Sequence, residues 1–161
     1  MYTQGQIRIE SELPIESVDI LQLNIRRGEH GKLALQGSVA EENDGEVIFG
    51  GLENSTLKLY ADQELLFCGL IDEIKITHEG QKAAVELYGI SATIKLDQEK
   101  KSRSLQDTEM TYEESMRKVL KETPGAILGF HARNRVLETP AYQLEETDWE
   151  WIKRMDSGIF L

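Results

Sequence analysis

The chain holds one cysteine, three prolines and two tryptophans in 161 residues, and aromatics make up 7% of it. A single thiol, Cys68, excludes an intrachain disulfide and a cysteine-ligated zinc site. Its place in the run Leu65-Leu-Phe-Cys-Gly-Leu-Ile71 reads as that of a small buried hydrophobe. That run is also the longest apolar stretch, far short of the roughly 20 residues that span a bilayer. The N-terminus, Met1-Tyr-Thr-Gln-Gly-Gln6, has neither a basic region nor an apolar signal core. No membrane anchor is expected, and synthesis and folding in the cytoplasm are. Basic residues are scarce as well: 18 Lys and Arg stand against 29 Asp and Glu, for a formal charge of −11. So acidic a chain repels a phosphate backbone, whose binding depends on Lys and Arg displacing counterions. Sequence-independent nucleic-acid binding is therefore not expected, and no nucleic-acid-specific partner is expected either.

The motifs of common chemistries are equally absent. The sequence contains no Gly-x-Ser-x-Gly elbow, no phosphate-cradling glycine loop and no His-Glu-x-x-His. His30, His78 and His131 fall at turns or strand ends, and His131 has no ligand partner at metal spacing. The acidic stretch Glu41-Glu-Asn-Asp-Gly-Glu46 reads as a solvated loop rather than a calcium site. The expectation is a protein that is not an enzyme and holds no cofactor or metal.

What is present is alternation. Ile7 and Ile9 alternate with polar residues before Pro14, and Val18 and Ile20 continue in one phase while Leu21, Leu23 and Ile25 follow in the other. Such a phase switch marks a bulge. Gly28-Glu-His-Gly31 is a turn, and Leu33, Leu35, Gly37 and Val39 complete a hairpin. A brief strand over Val47 to Phe49, a pair around Leu57 to Ala61 and Leu65 to His78, a turn at Glu79-Gly-Gln81 and a last strand through Val85, Leu87 and Gly89 extend the pattern into a meander. About six strands with short turns predict an antiparallel sheet curled into a barrel or a sandwich. Gly37, Gly69 and Gly89, inside strand patterns where glycine permits coiling, favour the barrel.

Beyond Asp97 the composition turns polar, and residues 98–103 read as a linker or edge strand. Thr111 and Glu114 form a capping box. Tyr112, Met116, Val119 and Leu120 make a stripe at helical spacing, Glu113 and Glu114 lie four before Arg117 and Lys118, and Pro124-Gly125 stops the helix. Ala126 to Phe130 is strand-like, and Arg133-Asn-Arg135 turns the chain. A domain boundary near residue 100 follows, with a barrel over 1–100 and a helix-containing segment over 101–161.

The C-terminal stretch Tyr142-Gln-Leu-Glu-Glu-Thr-Asp-Trp-Glu-Trp-Ile-Lys-Arg-Met155 runs from an extended lead-in to a second capped helix. Thr147 and Glu150 cap it, so it starts at Thr147 or Asp148. Trp149, Ile152 and Met155 recur three apart as its anchors, with Trp151 four before Met155, and Arg154 is placed to pair with Glu150 or with a neighbouring subunit. From periodicity alone this is a surface helix docked on a core.

The matching string Glu146, Thr147, Asp148, Trp149, Glu150, Ile152, Arg154 and Met155 resembles the segment that links the first barrel to the second in the VgrG and phage late control protein D family. The order of barrel, polar exit and capped helix agrees. The resemblance implies a mainly β fold with a few helices, an antiparallel β-barrel of the tail hub type followed by a helical linker. It implies a structural hub or spike component of a phage tail, tailocin or type VI-like contractile injection apparatus, joining the tail tube to the needle. The full-length family protein is a homotrimer that meets tail tube, baseplate and spike-tip proteins, assembled into a virion or secreted particle. Family chains continue past the Arg-Met helix into a second barrel, whereas this sequence stops at Leu161, which implies a fragment of that architecture. Two other readings are a generic barrel binding module, for which Tyr60 and Tyr88 are the candidate exposed aromatics, and a tail-associated cell-wall hydrolase.

Overall fold

In the computed structural model, which describes residues 1–39, 52, 54–79, 82–123 and 133–159, the chain divides into two compact units, Met1–Ala92 and Thr93–Leu161. The acidic loop, the Val47 to Phe49 strand, the glycine turn at residue 80, Pro124-Gly125, the Ala126 to Phe130 strand and His131 lie outside the described residues.

The first unit is one antiparallel sheet of seven strands: β1 (Tyr2–Gln4), β2 (Ile7–Glu10), β3 (Ile15–Asn24), β4 (Lys32–Val39), β5 (Thr56–Ala61), β6 (Glu64–Glu79) and β7 (Lys82–Ser91). Their spatial order is β1-β2-β5-β6-β7-β4-β3. β5, β6 and β7 form the expected meander, whereas the β3–β4 hairpin is laid against β7 instead of continuing from β2. The edge strands β1 and β3 approach within 8 Å at their Cα atoms, so the sheet curls into a half-barrel with no ladder between those edges among the described residues. Strand alternation sends Leu33, Leu35, Leu57, Leu59, Val85 and Leu87 inward, where they pack with Ile9, Leu13 and Phe67.

The phase switch in β3 is a register shift between Val18 and Ile20, and a second shift separates Ile15 from Ser17. Gly37 sits opposite this bulged stretch, and a Cβ there would lie 2.0 Å from the Ser17 carbonyl oxygen. Close approach of two backbones, rather than coiling alone, demands glycine at this position. The short β1 strand escaped the sequence pattern because three polar-flanked residues carry no period.

Cys68 corrects an expectation. The Leu65-to-Ile71 run is part of β6, so only alternate residues face inward: Phe67 and Ile71 are buried, while Cys68 is exposed and Leu65 and Leu66 are largely so. An apolar run on a one-sided sheet cannot bury both its faces.

The second unit opens with a 3₁₀ turn, Ala92–Asp97, whose first residue is the last of the first unit, and contains β8 (Lys100–Leu105), α1 (Tyr112–Leu120), β9 (Ala141–Thr147) and α2 (Asp148–Ile159). The polar stretch after Asp97 is thus a strand, paired antiparallel with β9. Thr111 caps α1 through the reciprocal bonds of a capping box with Glu114, and Glu113 pairs with Arg117 at 2.7 Å. Met116, Val119 and Leu120 are buried. Leu105, Met116, Val119, Leu137, Trp151 and Met155 form a small core of this unit's own.

Candidate functional site at the strand-to-helix junction

β9 turns into α2 without an intervening loop, and polar side chains fix how it does so. Lys100 pairs with Thr147 and Leu105 with Ala141, but the register breaks between Lys101 and Arg103, where Leu144 and Glu145 oppose Ser102. Glu145 takes a left-handed φ of 53° at this bulge. Its N–H donates to Ser102 Oγ at 3.2 Å, and that hydroxyl donates to Glu145 Oε1 at 3.3 Å.

Thr147 is the N-cap. Its N–H donates to Glu150 Oε2 at 2.9 Å, and Glu150 N–H donates to Thr147 Oγ1 at 3.1 Å, which satisfies two donors that the first turn leaves open. The Thr147 hydroxyl donates in turn to Asp97 Oδ1 at 2.5 Å, tying the end of the 3₁₀ turn to the cap.

Asp148, the first residue of α2, is the centre of the site. It is 2% exposed, and its carboxylate accepts from Lys101 Nζ at 2.9 Å, Arg103 Nη2 at 3.0 Å and Gln143 Nε2 at 3.0 Å. A carboxylate at a helix N-terminus is favoured by the helix dipole. Burial at such a place is tolerable because the two cations and the amide replace its water. Glu122, just past α1, accepts from Lys101 at 3.2 Å and Arg103 at 3.0 Å, so each cation bridges two carboxylates. The hydrogen bond to Asp148, foremost, raises the Lys101 pKa above its ordinary value. Gln143, fully buried, also donates to the Glu146 carbonyl at 2.9 Å.

Arg154 closes the far side. Its partner is Glu146 rather than Glu150, through a fork of 2.8 Å from Nε and 2.6 Å from Nη2, and Nη2 also reaches the Tyr142 carbonyl at 2.6 Å. Glu150 has its carboxylate in the cap. The Arg154 hydrogen bond holds the Glu146 carboxyl below the usual range, and Glu146 raises Arg154.

The anchor assignment also changes. Trp151 is fully buried, Met155 is buried, Ile152 is partly buried, and Trp149 is only half-buried, with Lys153 Nζ 5.8 Å from its ring centroid. The inward stripe runs Asp148, Trp151, Met155 at i, i+3 and i+7. Counting apolar residues alone selects the neighbouring stripe through Trp149, because the true one is headed by a buried charge. Lys101, Arg103, Gln143, Glu122 and Asp97 were not legible as partners. The one signal is that Lys101 and Arg103, two apart on a strand, share a face.

Each Asp148 oxygen is engaged by donors, so the arrangement is a lock on the direction of α2 rather than a reactive centre. Among the described residues, no group of His, Cys, Asp and Glu is placed to hold a metal, and no helix is long and apolar enough to cross a membrane. Tyr60 is half-buried with the Arg8 guanidinium 3.9 Å from its ring centroid, and Tyr88 is half-buried with Lys75 Nζ 5.4 Å from its own.

No family model matches the sequence, and no curated protein matches it. Solved structures do match its fold. The Escherichia coli c3393 protein, described as a component of the type VI secretion system with structural similarity to the T4 bacteriophage tail proteins gp27 and gp5, aligns with 92% of this chain at a TM-score of 0.62 and 14% identity. A tail protein of Neisseria meningitidis MC58 aligns with 93% at 0.62 and 13% identity. The 43 kDa tail protein of prophage MuSo2 from Shewanella oneidensis aligns with 98% at 0.58 and 11% identity. The chain spans 42%, 45% and 51% of their respective lengths. Its mainly β architecture, a curled antiparallel sheet followed by a helical unit, is the fold found in phage tail and type VI secretion proteins.

Proposed function

We propose that the chain is a non-catalytic structural part of a contractile injection apparatus, the first barrel and the linker of a hub that joins a tail tube to its needle. The observation that carries this reading is the fold match over 92% to 98% of the chain with a type VI secretion component and two tail proteins. Residues 1–100 supply the barrel, and 101–161 lead toward a second barrel in the longer polypeptide. Glu146, Thr147, Asp148, Trp149, Glu150, Ile152, Arg154 and Met155 are the linker motif. The polar lock at Asp148 suits a part whose task is to hold position. In the assembled particle the full-length protein is a trimer in contact with tube, baseplate and spike-tip proteins.

The test is localisation. An epitope-tagged chain expressed in its native host, followed by particle purification and immunogold electron microscopy, should place label at one end of tail-like particles. Tag found only in the particle-free fraction, with intact tails present, would overturn the proposal.

A further inference from the structure

Two cations of the second unit are shared by two carboxylates in different settings. Lys101 Nζ donates to Asp148 Oδ2 at 2.9 Å and to Glu122 Oε2 at 3.2 Å, and Arg103 Nη2 donates to Asp148 Oδ1 and Glu122 Oε2, each at 3.0 Å. Both bonds to Glu122 therefore fall on one oxygen. Asp148 is buried, opens α2 and has a third donor in Gln143. The Glu122 side chain is 54% exposed. It sits on the turn just past α1, where Glu122 N–H donates to the Val119 carbonyl at 3.3 Å and Thr123 N–H to the Leu120 carbonyl at 2.9 Å.

The cations thus form a seat of fixed geometry with a loosely held occupant. Asp148 and the β8–β9 ladder set the positions of Lys101 and Arg103, whose side chains are 25% and 17% exposed. Their two positive charges outweigh the single charge of Asp148, so the seat attracts an anion even without Glu122. An exposed carboxylate gains little from such a pairing, because solvent screens it and a long side chain must be ordered. Arg103 also has donors to spare: its Nε and Nη1 have no hydrogen-bond partner among the described residues. A guanidinium with an open fork binds a carboxylate through two parallel bonds. Glu122 already reaches both cations from the solvent side, so the approach is wide enough for that group.

We propose that Lys101 and Arg103 are a docking seat for a carboxylate of a partner protein, an exposed Asp or Glu side chain, and that Glu122 is its stand-in in the free chain. On docking, Glu122 swings into solvent and the partner's carboxylate takes its two bonds, while Asp148 keeps both cations aligned. The donors are ordered beforehand, so docking loses little freedom on this side of the contact. The surrounding charge does not oppose an acidic partner. Residues 93–161 hold 11 Lys and Arg against 13 Asp and Glu, so most of the net charge of −11 lies in the first unit. Complementary charge at such a seat selects the partner and fixes its register.

The probe is acetyl-tetraglutamate amide, titrated at constant ionic strength into the isotope-labelled full chain while NMR follows the Arg103 Nε–H and the Lys101 backbone N–H. Glu122→Gln, at an exposed position, removes the charge of the stand-in, and circular dichroism checks that the fold is kept. Saturable shifts of both resonances are expected for the wild-type chain, with binding about three- to fivefold tighter in Glu122→Gln because the internal competitor is weakened. Equal affinity in the two chains would overturn the role of Glu122. Shifts that do not saturate, or that sodium chloride reproduces at matched ionic strength, would overturn the seat. Inorganic phosphate binding more tightly than the peptide would overturn the carboxylate as ligand. Shifts produced by raising the protein concentration alone would make a second copy the occupant and overturn the separate partner.

Discussion

The two units of this chain reach stability by different routes. Among the described residues, the core of the barrel unit gathers fourteen buried hydrophobic residues, while that of the second unit gathers six. The second unit compensates with polar connections: Asp148 between two cations, Gln143 donating twice, Thr147 bonded on both sides, and Arg154 forked on Glu146. An alternating sheet gathers apolar area without needing particular partners. A short two-stranded ribbon does not, and so depends on specific pairs. Shape tolerance should therefore be lowest where backbones touch in the barrel, and charge tolerance lowest at the junction of the helical unit.

The largest break in that contrast is expected in the barrel. Gly37→Val puts a side chain where a Cβ would already lie 2.0 Å from a backbone oxygen that is fixed by the β3–β4 ladder. Overpacking against a backbone that cannot move costs about 3 kcal/mol or more. Loss of the sheet signal in circular dichroism, or a urea midpoint lowered to match, is the expected outcome. An unchanged midpoint would mean that β3 and β4 separate freely at the bulge.

Next in size is the tryptophan pair. Trp151→Ala should cost about 3 to 5 kcal/mol, as a full aromatic is removed from a small core, and Trp149→Ala about 1 kcal/mol because that ring is half-buried. Both tryptophans lie in the second unit, so fluorescence-detected unfolding of each variant reports that unit directly. Equal losses would return the anchor to the stripe through Trp149.

That pair also marks how far sequence reading goes. The hairpin, the phase-switch bulge in β3, the capping boxes at Thr111 and Thr147 and the mainly β class are all short-range patterns, and each is visible in local spacing. What stayed hidden depends on pairing across long separations. Lys101 and Arg103 lie more than forty residues before Asp148, and only the β8–β9 ladder brings them together. Cys68 fails differently. Whether an apolar run faces one side or two is decided by what covers the sheet, which composition does not encode.

Asp148 measures the polar route. Asp148→Ala should cost about 2 to 4 kcal/mol, less than a fully buried pair because Lys101 and Arg103 keep Glu122 and some solvent. Asp148→Asn should cost less, since the amide still accepts from one donor. The ordering of the two by urea denaturation is the check. The pH dependence follows the same pairs. Glu146 titrates below its ordinary 4.5, so its contribution is fully present above that pH and is lost as pH falls through the folded value. Lys101 titrates above its ordinary 10.5, so its contribution is fully present below 10.5 and is lost as pH rises through the folded value. Glu146→Gln should flatten the acid limb by less than about 1 kcal/mol, because Arg154 is half-exposed and solvent screens the pair.

The smallest expected effect has the opposite sign. Glu145 sits at φ 53°, a conformation that costs an L-residue with a side chain about 1 kcal/mol relative to glycine. Glu145→Gly relieves that strain but widens the unfolded ensemble and removes the hydrogen bond from Ser102 to the carboxylate. The sum should be a gain of no more than about 0.5 kcal/mol, within the usual range for a surface change. A clear loss in thermal unfolding would give the carboxylate a larger part in holding the bulge, and the bulge sets the register from which Glu146, Thr147 and Asp148 reach their partners. A neutral or positive result would leave the lock to Asp148 and its cations, with the strained residue tolerated as the cost of turning a strand into a helix in one step.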